Sequence, residues 1–175
     1  MIAAIRRAAD VIDRLNRAIG QAAMWLCLVI AVVEFGVIVA RYGFSAGSIA
    51  VQEAVQMAQA ALYLLTAAWT LQAGQHVRVD IFYQAASPRR RAAIDLAGAV
   101  LFLLPFATML LWVSLPYVAR SVAILEHSRE AGGLPAVYLF KSLIPLFAAL
   151  IALQGVAQAI RAGLALTGAD QRVAA

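Results

Sequence analysis

The chain is 175 residues long, 64% hydrophobic and only 13% charged, with a mean hydropathy of +0.85. Soluble chains average about half apolar and a quarter charged, so this composition excludes a water-soluble domain and puts the chain in the membrane. The formal charge of +5 is assigned to membrane orientation rather than to nucleic acid, and a single cysteine, Cys27, leaves no disulfide framework and no CxxC signal.

Residues 2–17 carry Ile2, Ile5, Ala9, Ile12 and Leu15 at spacings of three and four, with Arg6, Arg7, Asp10, Asp13, Arg14 and Arg17 mainly between them. That pattern predicts an amphipathic helix whose basic face suits the membrane interface. A first span follows at about 19–40, bounded by Arg17 and Arg41, and a second at about 51–73. Each has about the 20 residues that a bilayer crossing requires. Gly43 to Ser48 forms the turn between them. A third span covers about 94–118 and holds Pro105 and Pro116, where kinks are expected rather than termination. The fourth covers about 134–159, with Pro135 expected in its first turn, and 163–175 reads as a mobile tail. The fold class is therefore all-α: a single membrane domain of four helices over residues 1–175, preceded within it by the interfacial helix.

An even number of crossings puts both termini on one side. Ten of the fourteen Lys and Arg fall in the N-terminal segment, the loop after the second span and the tail, and four fall on the other side or at its helix ends. The bias predicts that both termini are cytoplasmic.

Few residues can carry chemistry. Glu34 lies within the first span, where a carboxylate costs ~2.5–3.5 kcal/mol on insertion scales. It is either a proton- or cation-binding group or, on the reading favoured here, paired or packed against a neighbouring helix. Gln52, Gln56, Gln59 and Tyr63 share one face of the second helix, bordered by Glu53. Such a face must meet protein, either this chain or a second polypeptide. Gln154, Gln158 and Arg161 repeat the pattern on the fourth helix. Lys141 is expected either to snorkel or to pair with Glu126, Glu130 or a partner. His76 and His127 fall on opposite sides and cannot ligate one centre, so no cofactor and no metal are expected, and no catalytic constellation appears.

The densest mixture of ionisable and aromatic residues is His76-Val77-Arg78-Val79-Asp80-Ile81-Phe82-Tyr83. Its aromatics suit a membrane-edge anchor, and docking is its other available role.

Arg41-Tyr42, Glu53, the string from His76 to Asp80, Ser128-Arg129-Glu130, Gly132-Gly133-Leu134-Pro135, Ile144-Pro145 and Leu153-Gln154 follow one another in order. In order and spacing they resemble the small membrane subunit (DctQ type) of tripartite ATP-independent periplasmic (TRAP) transporters, from Asp13 to about Ala159. The branch they look most similar to is the mannitol/chloroaromatic or 2-oxoacid one. The resemblance implies a non-enzymatic subunit of the bacterial inner membrane. Its implied partners are a large multi-span subunit, a periplasmic substrate-binding protein and membrane lipid. It further implies that this subunit braces the large one during sodium-coupled uptake of an organic acid, without binding the substrate. Contact roles are then expected for Glu34, Arg41, Glu53, Gln56, Gln59, His76, Arg78, Asp80, Glu130, Lys141 and Gln154. The rival reading is an autonomous proton-coupled exporter built on Glu34.

Overall fold

The computed structural model describes residues 2–76, 83 and 85–168, and every regular element among them is helical. In chain order these are α1 (Ile2–Phe44), α2 (Ile49–Gln72), α3 (Pro88–Gly98) and, after a π-helical turn at Ala99–Leu103, α4 (Leu104–Ala123) and α5 (Val137–Leu166). The helices α3 and α4 form one column through the π turn.

The amphipathic segment and the first span are one helix. At 43 residues α1 is about 65 Å long, roughly twice the hydrocarbon thickness, so its charged N-terminal half continues beyond the apolar part without a break. The break expected near residue 18 is absent because no glycine–proline pair or cap interrupts the ladder there, and the charged half is held by α5. Ala9, Asn16, Gly20 and Ala23 are the buried residues of α1. Their spacings of seven, four and three make one seam of small residues.

Among the described residues, three helical stretches are long and apolar enough to cross a membrane: Ile2–Phe44, Pro88–Ala123 and Val137–Leu166. The second expected span, α2, has the length, at 24 residues, but Gln52, Glu53, Gln56 and Gln59 make it less apolar than the others. It nonetheless returns the chain antiparallel to α1. Ser45, at φ 51°, closes α1, Ala46 N–H reaches back to the Ala40 carbonyl at 3.0 Å, and Ser48 accepts the Val51 N–H as N-cap.

The packing centres on α5, which touches α1, α2, α3 and α4. Its buried residues include Ala148, Leu150, Ile151, Gln154, Gly155 and Ala157, and Leu150 and Ile151 join Ala68 and Ala107 in the apolar core. Helix α5 starts at Val137, so Pro135 precedes it instead of occupying its first turn, and it runs to Leu166, so 163–166 are helical. The tail from 169 onward lies outside the described residues. The π turn stands immediately before Pro105, which has no N–H and would crowd the carbonyl four residues back in a regular helix. The Leu104 N–H bonds instead to the Ala99 carbonyl, five residues back. The widened turn also presents Leu103 and Leu104 to Gly155, where an added Cβ would lie 3.1 Å from both side chains.

Gly20 sets how closely α1 and α2 approach. A Cβ there would lie 2.7 Å from both Cβ and Cε3 of Trp69, atoms near the root of a side chain that cannot swing away. Gly20→Val is therefore expected to destabilise the bundle by about 1–3 kcal/mol or more. A clear drop in the thermal transition of the detergent-purified chain is the measurement, with Gly36→Val, whose added Cβ meets nothing within 4 Å, as the neutral control.

Candidate functional site: two polar locks and an outward stripe

At one end of the bundle the α4–α5 loop folds back on α2. Leu125 takes a left-handed φ of 46° and Gly132 one of 78°. Backbone bonds close the loop on itself: Ser128 N–H to Leu134 O at 3.0 Å, and Val137 N–H to Glu126 O at 3.2 Å. Glu53, one turn into α2, enters the closed loop. The Ser128 hydroxyl donates to Glu53 Oε1 and the Leu134 N–H donates to Oε2 at 2.7 Å. Ser128 Oγ also accepts the Glu130 N–H at 3.1 Å. Gly133 makes the approach possible, since a Cβ there would lie 2.5 Å from Ser128 Oγ and 2.8 Å from Glu53 Oε2.

A second carboxylate anchors the loop to its two flanking helices. Glu126 Oε2 accepts from Ser121 Oγ of α4 and from Lys141 Nζ of α5, both at 2.6 Å. The Lys141 ammonium lies 4.5 Å from the centre of the Tyr117 ring. Lys141 thus takes the paired alternative, with Glu126 and not Glu130. The Lys141 hydrogen bond first, and that of Ser121 second, hold the Glu126 carboxyl below the usual glutamate value of 4.5.

The other lock is at the opposite end, between α1 and α5. Asn16 Nδ2 donates to Gln154 Oε1 at 2.7 Å, and Gln154 Nε2 donates to Asp13 Oδ1 at 3.0 Å. Asn16 and Gln154 are 1% and 2% exposed, so these amide bonds lie in the core itself. One heptad on, Arg161 forks onto Asp10, at 2.9 Å, and Asp13. This lock fixes the register of α1 on α5 and sets the first turns of α1 and the last turns of α5 at the same end of the bundle. Beside it, Tyr83 OH donates to Asp95 at 2.7 Å, and Arg91 Nε donates to the carbonyls of Tyr83 and Ala86.

The remaining expected site residues scatter. His76 is exposed, with Nδ1 3.4 Å from Thr70 Oγ1. Arg78 and Asp80 lie outside the described residues, as does the rest of that string between His76 and Tyr83. Arg41 and Glu130 are exposed. Glu34 is half-buried and makes no hydrogen bond or ion pair with any described residue. Gln56 is exposed, Gln59 is half-buried and Tyr63 is 71% exposed, and none of these side chains bonds to a described residue. Among the described residues no three His, Cys, Asp or Glu gather as metal ligands.

Asp10, Asp13 and Asn16 were not singled out in the sequence, where they read as the polar face of an interfacial helix. The signal was there: three short polar residues at intervals of three, facing a Gln154–Arg161 stripe of heptad spacing. Ser121 and Tyr117 gave no sequence signal, because serine and tyrosine in an apolar helix are common and only the fold sets them beside Glu126 and Lys141.

Residues 30–163 match the family model DctQ, described as tripartite ATP-independent periplasmic transporters, DctQ component. No curated protein and no solved structure gives a match.

Two outcomes follow from the loop geometry. Gly133→Ala is expected to expel Glu53 from the loop and speed hydrogen exchange at the Leu134 amide on the order of tenfold, leaving the Asn16–Gln154 end unchanged. The Glu126 clasp has a definite pH sense. A carboxyl lowered in the folded state contributes stability that is full at neutral pH and is lost as the pH falls through the folded value, below 4.5. Exchange at residues 125–127 should therefore rise on acidification into that range, and Glu126→Gln should weaken that dependence, while the part of the loop held by Glu53 through Ser128 and Leu134 keeps its own.

Proposed function

The chain belongs to the DctQ component family of tripartite ATP-independent periplasmic transporters, and from that membership we propose that it braces the large membrane subunit during binding-protein-dependent uptake. As the small membrane subunit of such a transporter, it is a multi-pass protein of the bacterial inner membrane and a component of a transport system.

The observation that carries the bracing role is the pair of polar locks at opposite ends of one bundle. Glu53 ties α2 to the α4–α5 loop, and Asn16, Asp13 and Asp10 tie α1 to α5. Hydrogen-bonded clamps at both ends, with close-packed glycines between, resist sliding of one helix past another. A frame against which a partner moves needs that resistance. The moving and substrate-binding parts then belong to the large subunit, which takes up an organic acid together with sodium ions, delivered by a periplasmic binding protein. The basic end, with Arg6, Arg7, Arg14, Arg17, Arg89, Arg90 and Arg161, faces the cytoplasm with both termini, and the Glu53 loop faces the periplasm.

Reconstitution tests the reading. Sodium-dependent uptake is expected from liposomes holding this chain, the large subunit and the binding protein, and not from liposomes holding this chain alone. Uptake by this chain alone would refute it. Glu53→Ala and Gln154→Ala are expected to lower the uptake rate several-fold while leaving the ranking of competing substrates unchanged. A changed ranking would move substrate recognition into this subunit.

A further inference from the structure

Two sets of polar side chains in the apolar part of the bundle differ in where their bonds go. Thr66, Thr70, Ser114 and Ser142 return their hydroxyls to carbonyls of their own helices, at 2.6, 2.8, 3.2 and 2.7 Å. Those groups need nothing from outside. Gln52, Gln56, Gln59 and Tyr63 cannot close such short rings and have no described partner. On this face Gln56 and Tyr63 are exposed and Gln52 and Gln59 are half-buried, while Ala68, on the opposite face of α2, is buried. Each unsatisfied amide or hydroxyl in hydrocarbon carries a cost of several kcal/mol.

We propose that the Gln52–Gln56–Gln59–Tyr63 face of α2 is the docking face for one transmembrane helix of the large subunit, which offers hydroxyl, amide or basic side chains along it. The proposal rests on the reading of this chain as the bracing subunit and names the surface that does it. The stripe extends eleven residues, about 16 Å, along the helix. That is half the hydrocarbon thickness, deeper than lipid headgroups or a water-soluble protein reach. The occupant is therefore itself embedded. Amides both donate and accept, so they match a helix with mixed polar groups. By contrast, Phe102 just before α4 and Phe106, Met109, Trp112 and Val113 within it are exposed large apolar or aromatic side chains that suit acyl chains.

The test uses the assembled complex. A benzophenone amino acid is placed at position 56, 63 or, as control, 112, and the adducts are identified by mass spectrometry after irradiation in membranes. Positions 56 and 63 are expected to yield the large subunit and position 112 lipid. The variant Gln56→Leu, Gln59→Leu, Tyr63→Phe is expected to recover about tenfold less large subunit per small subunit, with its thermal transition retained. Adducts of 56 and 63 with a second copy of this chain or with lipid alone, or large-subunit adducts from 112 only, would overturn the docking face while leaving the bracing role intact. If the unmodified chain fails to co-purify the large subunit, the bracing role falls, and this surface falls with it. Should the triple variant not fold, the single-site adducts decide alone.

Discussion

A polar group inside hydrocarbon must find a partner, and this constraint orders the whole molecule. Where the partner lies within the chain, the result is a lock. The Glu53 carboxylate draws the Ser128 hydroxyl and the Leu134 N–H onto the first turn of α2, and the loop between α4 and α5 takes its shape around that carboxylate. The buried Asn16–Gln154 pair does the same for α1 and α5. Apolar packing in lipid is non-specific, since an acyl chain satisfies a leucine as well as another leucine does. Register in this bundle therefore comes from the polar pairs, and closeness comes from small residues.

The two contributions depend on each other. Gly133 lets Glu53 approach the loop, Gly20 lets α1 approach Trp69, and Gly155 receives Leu103 and Leu104 at the π turn. Enlarging any of them would lengthen a hydrogen bond or open a seam whose partner sits on a different helix. Since α5 touches every other helix, a disturbance at Gly155 reaches α3, α4 and, through Gln154 beside it, the lock with α1. The bundle behaves as one body because its contacts converge on that helix.

Much of this was legible in the sequence. Composition and periodicity give the helices, the turn at residues 43–48 and the basic bias of one end. The ordered motifs gave the family before any geometry was known. Glu53, Ser128 and Gly132-Gly133-Leu134 were recognised as separate strings, and the structure makes them one site. What stayed hidden depends on distance across the fold. The continuity of α1 could not be read because a charged face predicts exposure equally well to an interface, to water or to an ion pair with Arg161. The start of α5 at Val137 was missed because Pro135 is compatible both with a first helical turn and with the end of a loop, and only the closure of residues 126–137 decides between them. The π turn escaped because a proline announces a disturbed ladder but not whether the helix bends or widens.

Glu34 and Glu53 show how one residue type divides by environment. Both are carboxylates in apolar sequence on the hairpin of α1 and α2. Glu53 lies four residues from the start of α2 and is enclosed by its own loop. Glu34 lies ten residues from the end of α1, and Gln59 ten residues from the start of α2, so both sit about 15 Å from the turn. The hairpin thus carries a belt at one depth, made of a carboxylate on one helix and an amide on the other, and neither has a bond to a described residue. A transport pathway confined to this chain would need further polar groups to converge at that depth on α4 and α5. Those helices instead offer Ser114 and Ser142, whose hydroxyls are turned back to their own carbonyls. A belt on two helices of the hairpin, with no bonded counterpart among the described residues of α4 and α5, does not make a transport pathway within this chain.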